Sequence, residues 1–195
     1  IQERISYEIR RRIIEPFLNH TADSSWETWP SNWSAVCGGS VGAAFLYEAA
    51  PEEVSQVIPR IEKALGYYLQ SLSEDGACTE GYNYWIYGFG FFVYYASLLR
   101  QYTDGQIDYF KLEKVKRAAA FQNKVILRDN KVVTFSDSSE YTNHMAGLSH
   151  FLFKEYGVPS PSLKYAVQFG DETCYRWPSA VRNLVWLDET HAGEK

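Results

Sequence analysis

Positive charge is scarce in this sequence: 19 Lys and Arg stand against 24 Asp and Glu, a net charge of −5 over 195 residues. A nucleic-acid-binding domain ordinarily carries a basic footprint, so nucleic acid is not the expected partner. The nearest basic patches are Arg10-Arg11-Arg12 and the set Lys111, Lys114, Lys116 and Arg117. Both fall in helix-like sequence and read as solvated helix faces. Cysteine is sparse as well. Cys37, Cys78 and Cys174 cannot all pair with one another, and no C-x-x-C spacing points to a metal. Cys37, in a Gly-rich apolar stretch, reads as a small buried hydrophobe.

Long apolar runs are also missing. The most apolar stretch, 86–99, is interrupted by Gly88, Gly90 and several tyrosines. It falls short of the roughly 20 residues that cross a bilayer, so no membrane span is expected. No nucleotide-binding glycine fingerprint, P-loop or H-E-x-x-H occurs, and no serine sits in a nucleophile-elbow context. His20, His144, His150 and His191 show no metal-ligand pattern and read as ordinary structural or surface histidines. No cofactor and no metal are therefore expected. The chain opens Ile1-Gln2-Glu3, without a charged-then-apolar leader, and reads as a processed or excised piece.

What is abundant is apolar and aromatic: 46% of residues are hydrophobic and 16% aromatic. That content offsets the ordering entropy of folding and suits one domain, 1–195, or a large fragment of one. The dominant period is helical. Ile5, Ile9, Ile13, Phe17 and Leu18 predict one apolar stripe, with Pro16 forcing a kink or an early end. The segment 20–34 has no period but holds Trp26, Trp29 and Trp33, and reads as a loop. A helix over 34–49 contains Gly38, Gly39 and Gly42, each costing about 1 kcal/mol relative to Ala. Close approach of another backbone is the expected compensation. Pro51 and Glu52-Glu53 then open a helix whose buried face is Val54, Val57, Ile58, Ile61, Leu65, Tyr68 and Leu69.

A turn at 73–76 precedes a strongly aromatic helix over 80–103. An amphipathic stretch follows over 109–125. Apolar runs at 125–127 and 132–135, flanking Asp129-Asn130, predict a small β-hairpin. Helices resume over 142–156 and 178–187. No strand series could build a large sheet. The predicted class is all-α, built of antiparallel helical hairpins with one β-hairpin.

Chemistry concentrates in the run from Asp75-Gly76 through Glu80-Gly81-Tyr82-Asn83-Tyr84-Trp85-Ile86-Tyr87-Gly88. Tyr84 and Tyr87 are three apart, on one face and near the positive end of a helix. Taken alone, these tyrosines read first as core aromatics with their hydroxyls satisfied at the surface.

The run Glu80-Gly81-x-x-Tyr84-Trp85-x-Tyr87-Gly88, preceded by Asp75-Gly76, resembles the helical toroid of heparinase II/III-like polysaccharide lyases. Three further stretches agree in order. Ser31-Asn32-Trp33, followed by Val36-Cys37-Gly38-Gly39, is similar to the family's asparagine-tryptophan motif opening a small-residue helix. Phe135-Ser136-Asp137-Ser138 is similar to its hairpin-exit segment, usually Phe-Gly-Asp. The stretch 177–188, with Arg182, Leu184 and Trp186, resembles the last toroid helix.

The resemblance implies an incomplete (α/α) toroid, lacking the N-terminal ring helices and the C-terminal β-sandwich of such lyases. It implies β-elimination on an acidic, uronate-containing polysaccharide or oligosaccharide. A base takes the C5 proton, an acid protonates the departing O4, and the carboxylate is neutralised. Carried over by motif, Tyr84 is the tyrosine acting as base, acid or both, and Asn32 hydrogen-bonds the uronate carboxylate. Tyr87 is the alternative tyrosine. The resemblance offers Trp29, Trp33 and Trp85 as sugar-stacking surfaces, with packing an equal reading for each, and Glu80 stabilises the helix start. Where lyases of this group commonly carry a histidine at or beside the asparagine, this chain has Trp33. Their second catalytic histidine comes from the β-sandwich, the implied partner of this region. A periplasmic or secreted location is implied by the resemblance alone, and oligomeric state is open. Two rival readings remain. One is a glycoside hydrolase using two carboxylates among Glu80, Asp75, Asp137 and Asp171. The other is a non-catalytic carbohydrate-binding or scaffold module.

Overall fold

The computed structural model describes residues 1–168 and 177–188, so Asp171, Cys174 and His191 lie outside it. The described chain is all-α with one small antiparallel β-hairpin, the class that its periodicity predicts. It divides into two compact units. The first is Ile1–Ser71 with Phe91–Tyr109; the second is Leu72–Gly90 with the described residues from Phe110 onward.

The first unit opens with α1 (Gln2–Ile9), a π-helical turn over Arg10–Ile14, and α2 (Glu15–Leu18), in one continuous run. Pro16 has no N–H to donate, and its ring crowds the carbonyl four residues back. The backbone widens just before it: Glu15 donates to the Arg10 carbonyl, five residues away. A π turn inserts one residue into the helical register. This insertion corrects the predicted stripe. Ile14 and Phe17 are buried, Ile13 is only half-buried and Ile5 is exposed.

Trp26 leaves the loop through a 3₁₀ turn, Ser25–Thr28, and stacks on Phe17 with centroids 6.0 Å apart. Arg60 lies 3.8 Å over the Phe17 ring and forks onto Glu27 at 2.7 and 3.2 Å. Arg10 grips Glu53 in the same way, while Arg11 and Arg12 share Glu8. These basic groups are thus locally neutralised, as the solvated-face reading expects.

Helix α3 (Asn32–Glu48) starts two residues earlier than predicted. The hydroxyl of Ser34 in its first turn donates to the Trp26 carbonyl at 2.6 Å and also contacts that of Trp29. Helix α4 (Pro51–Ser71) buries Val54, Val57, Ile61, Leu65 and Tyr68 as predicted, with Ile58 and Leu69 half-buried. The glycines of α3 compensate as expected. A Cβ on Gly39 would lie 3.0 Å from the Phe91 carbonyl oxygen. One on Gly42 would lie 2.3 Å from the buried ring of Tyr95.

Helix α5 (Tyr82–Tyr102) gives its first turns, 82–90, to the second unit and the rest to the first. In the second unit the amphipathic stretch is not one helix but two, α6 (Glu113–Ala119) and α7 (Phe121–Val125), separated at Ala120. Strands β1 (Ile126–Arg128) and β2 (Lys131–Val132) pair Ile126 with Val132 and Arg128 with Lys131. Helix α8 (Ala146–Tyr156) begins four residues later than predicted, because His144 is drawn into an extended bridge with Ala166. Its first-turn amide at Gly147 is capped by the Asn183 side chain, 2.9 Å away, from α9 (Trp177–Trp186).

Gly42→Ala gains about 1 kcal/mol of helix propensity but forces a methyl into a packed ring, a change that typically costs about 1–3 kcal/mol. The expected net effect in urea denaturation is a lowered midpoint, whereas alanine at exposed Ser40 leaves it unchanged or raises it.

Candidate functional site

The site is built from the first turns of α5 and the segment leaving the hairpin, both in the second unit. Gly81, just ahead of the helix, has φ +94°, and a Cβ there would sit 2.6 Å from that of Ser138. Glycine is needed twice over, for the dihedral and for the space. The hairpin-exit segment is laced onto the helix start. Tyr82 N–H donates to Ser138 Oγ at 3.2 Å, and the Asn83 amide donates to Ser139 Oγ at 3.3 Å. Thr142 Oγ1 donates to Asn83 Oδ1 at 2.6 Å.

Beneath this lacing lies a buried pair. The Tyr82 hydroxyl is 3.1 Å from His144 Nδ1, and His144 Nε2 is 3.0 Å from the Asp129 carbonyl oxygen. A carbonyl only accepts, so Nε2 carries the proton and Nδ1 accepts from the phenol. Burial pushes the Tyr82 hydroxyl far above its usual pKa. Burial also lowers the His144 imidazole pKa, and the Asp129 carbonyl works weakly the other way.

The predicted residues separate into three groups. Tyr84, Tyr87 and Glu80 are half-buried at the start of α5, with Glu80 preceding the helix rather than beginning it. Trp85 is a correction. Only 1% exposed, it stacks between Tyr82 and Phe89 at 5.5 and 5.4 Å and donates its indole N–H to the Ala118 carbonyl at 2.8 Å. No ring face remains for a sugar. Asn32, Trp29 and Trp33 belong to the first unit. Asn32 is buried in the first turn of α3, whereas Trp29 and Trp33 are 51% and 56% exposed.

Sequence reasoning missed Tyr82 and passed over His144. They lie 62 residues apart with no local period linking them, so no signal in the chain announces the pair.

The carboxylates proposed for a hydrolase fare differently. Asp75 is held by Ser73, by the Ala77 amide at 3.2 Å and by Lys124 at 3.1 Å. The Ser73 hydroxyl first, then Lys124 and the Ala77 amide, lower its pKa to about 2, so it carries no proton to donate at neutral pH. Asp137 is exposed on the hairpin exit. Among the described residues, no group of three His, Cys, Asp or Glu side chains could hold a metal ion. Burial raises the Cys78 thiol pKa to about 11, leaving it a weak nucleophile. A cleft of about 340 Å³ in the second unit is lined mainly by apolar groups, including Met145, Leu163, Val167 and Leu184, and by none of the predicted site residues.

Compared with family models and with curated protein sequences, the chain matches none.

Two expectations follow from this geometry. Ser136, on the segment leaving the hairpin, has φ +49°. A left-handed non-glycine residue costs roughly 1–2 kcal/mol, part of which glycine's unfolded-state entropy offsets. Ser136→Gly is expected to raise stability by up to about 1 kcal/mol, read in urea denaturation, and Ser136→Val to lower it. The second concerns His144. Because burial lowers its folded pKa, the unfolded chain binds a proton that the folded unit refuses. The stabilisation is complete above about pH 6.5, the exposed value, and is lost as pH falls from there toward the folded pKa. In His144→Gln, the slope of unfolding free energy between about pH 7 and 5 is expected to flatten.

Proposed function

We propose that this chain is part of a polysaccharide lyase that cleaves a uronate-containing polysaccharide by β-elimination, with Tyr84 as the residue that moves the proton. The reading rests on the four ordered motifs and on one structural contrast at the start of α5. Tyr82 is buried and bonded to His144, whereas Tyr84 is half-buried. As a phenolate the Tyr84 side chain takes the C5 proton, and as the resulting phenol it can return one to O4, at the end of α5 where the helix dipole favours negative charge. Asn32 keeps the carboxylate-binding role on the motif alone. Trp29 and Trp33, both largely exposed, are suited to stacking on sugar rings. In this reading the chain belongs to an (α/α) toroid whose remaining site residues come from a β-sandwich of the same protein, and the isolated segment is weak or inactive.

Exposed Trp29 and Trp33 equally suit a non-catalytic carbohydrate-binding module. One experiment separates the two. The full-length protein is incubated with a panel of uronate polymers, and unsaturated product is followed by its ultraviolet absorbance. The lyase reading expects turnover by the wild type and a loss of about 10²–10⁴-fold in kcat for Tyr84→Phe, with little change in KM. Retained activity in Tyr84→Phe removes the role from Tyr84. Glycan binding without turnover by the wild type favours the binding module.

A further inference from the structure

Successive residues of an α-helix are about 100° apart, so Tyr82 and Tyr84 leave α5 about 200° apart, on opposite sides. The direction of the half-buried Tyr84 therefore follows from how the inward Tyr82 is held. That ring is fixed by a specific chain: its hydroxyl on His144 Nδ1 at 3.1 Å, and His144 Nε2 on the Asp129 carbonyl at 3.0 Å. The His144 backbone is itself clamped. Its N–H donates to the Tyr165 carbonyl and its own carbonyl accepts from Val167 N–H, each at 2.9 Å. His144 thus joins three pieces of the second unit: the hairpin turn, the start of α5 and the segment 165–167.

We propose that His144, as a neutral imidazole, is the positioning residue for Tyr84, holding the first turn of α5 in the rotation that proton transfer requires. The proposal deepens the lyase reading and rests on it. The residues bonded to His144 are Tyr82 from α5 through its hydroxyl, and Asp129 from the hairpin turn and Tyr165 from the 163–165 turn through their backbone carbonyls, while Lys164 is engaged by the Tyr165 hydroxyl. Lys131 of β2 is engaged by Glu140 at 2.7 Å. A second proton on Nδ1 reverses this bond, with the imidazolium donating to the Tyr82 oxygen. The phenol must then turn its own proton into buried space without an acceptor, and the order of the chain that orients α5 is lost.

The test compares wild type, His144→Gln and His144→Ala in the full-length protein, on a uronate polymer that the wild type turns over. Glutamine keeps one donor and one acceptor but does not titrate. The wild-type kcat is expected to fall on the acid side, below the folded pKa of His144 that burial holds under the usual value of about 6.5, with KM nearly constant. His144→Gln is expected to keep measurable kcat without that acid limb, and His144→Ala to lose about 100-fold through misorientation. An unchanged acid limb in His144→Gln, or unchanged kcat in His144→Ala, overturns the proposal while leaving the lyase reading intact. Absence of wild-type turnover on every polymer overturns the lyase reading instead. Amide hydrogen exchange over residues 82–88 then decides the clamp. Faster exchange at about pH 5 in wild type but not in His144→Gln upholds it, and equal exchange in the two removes it.

Discussion

The second unit depends on one buried hydrogen-bonded chain, from the Tyr82 hydroxyl through the His144 imidazole to the Asp129 carbonyl. Tyr82 and His144 are withdrawn from water, and each member of the chain is satisfied by the next, ending on the exposed hairpin turn. Remove the imidazole and the buried phenol donor is orphaned, at a cost of about 1–3 kcal/mol. The chain also explains local features that have no reason in isolation. The segment 142–145 is extended instead of helical, Gly81 takes a left-handed dihedral to admit Ser138, and Asp129 has φ +55° at the hairpin turn.

The first unit is organised by a different constraint, close packing against glycine. Helix α3 has almost no polar face and is spoiled as an isolated helix by its glycines. It exists because Phe91 and Tyr95 occupy the space that side chains would take. Ionic contacts at the surface of this unit, Arg10 with Glu53 and Arg60 with Glu27, tie its helices and the 3₁₀ turn while leaving little uncompensated positive charge.

Much of the fold was legible in the chain. The buried face of α4 follows from its spacing, the aromatic helix from its run, and the hairpin from Asp129-Asn130 between β-branched residues. Failures had local physical causes. Pro16 widened the preceding turn and moved the buried stripe from Ile13 to Ile14, because an inserted residue rotates every later side chain. Residues 109–125 kept a helical period but broke at Ala120. The site was legible only in part. Tyr84 and Tyr87 stood out by composition and motif, and of the two readings open for Trp85 the structure takes packing, because in sequence an aromatic next to a tyrosine looks the same whether it faces water or Phe89.

By itself the sequence determined the class of this protein, all-α with one hairpin, since periodicity is a property of consecutive residues and needs no partner. It also determined which small residues sit where helices meet, because a glycine that weakens a helix must be compensated by packing. Only the tertiary structure decided which tyrosine is bound and which is half-exposed, and that Trp85 is core. It alone gave His144 a partner, because a hydrogen bond between residues 62 apart exists only once the chain has brought them together.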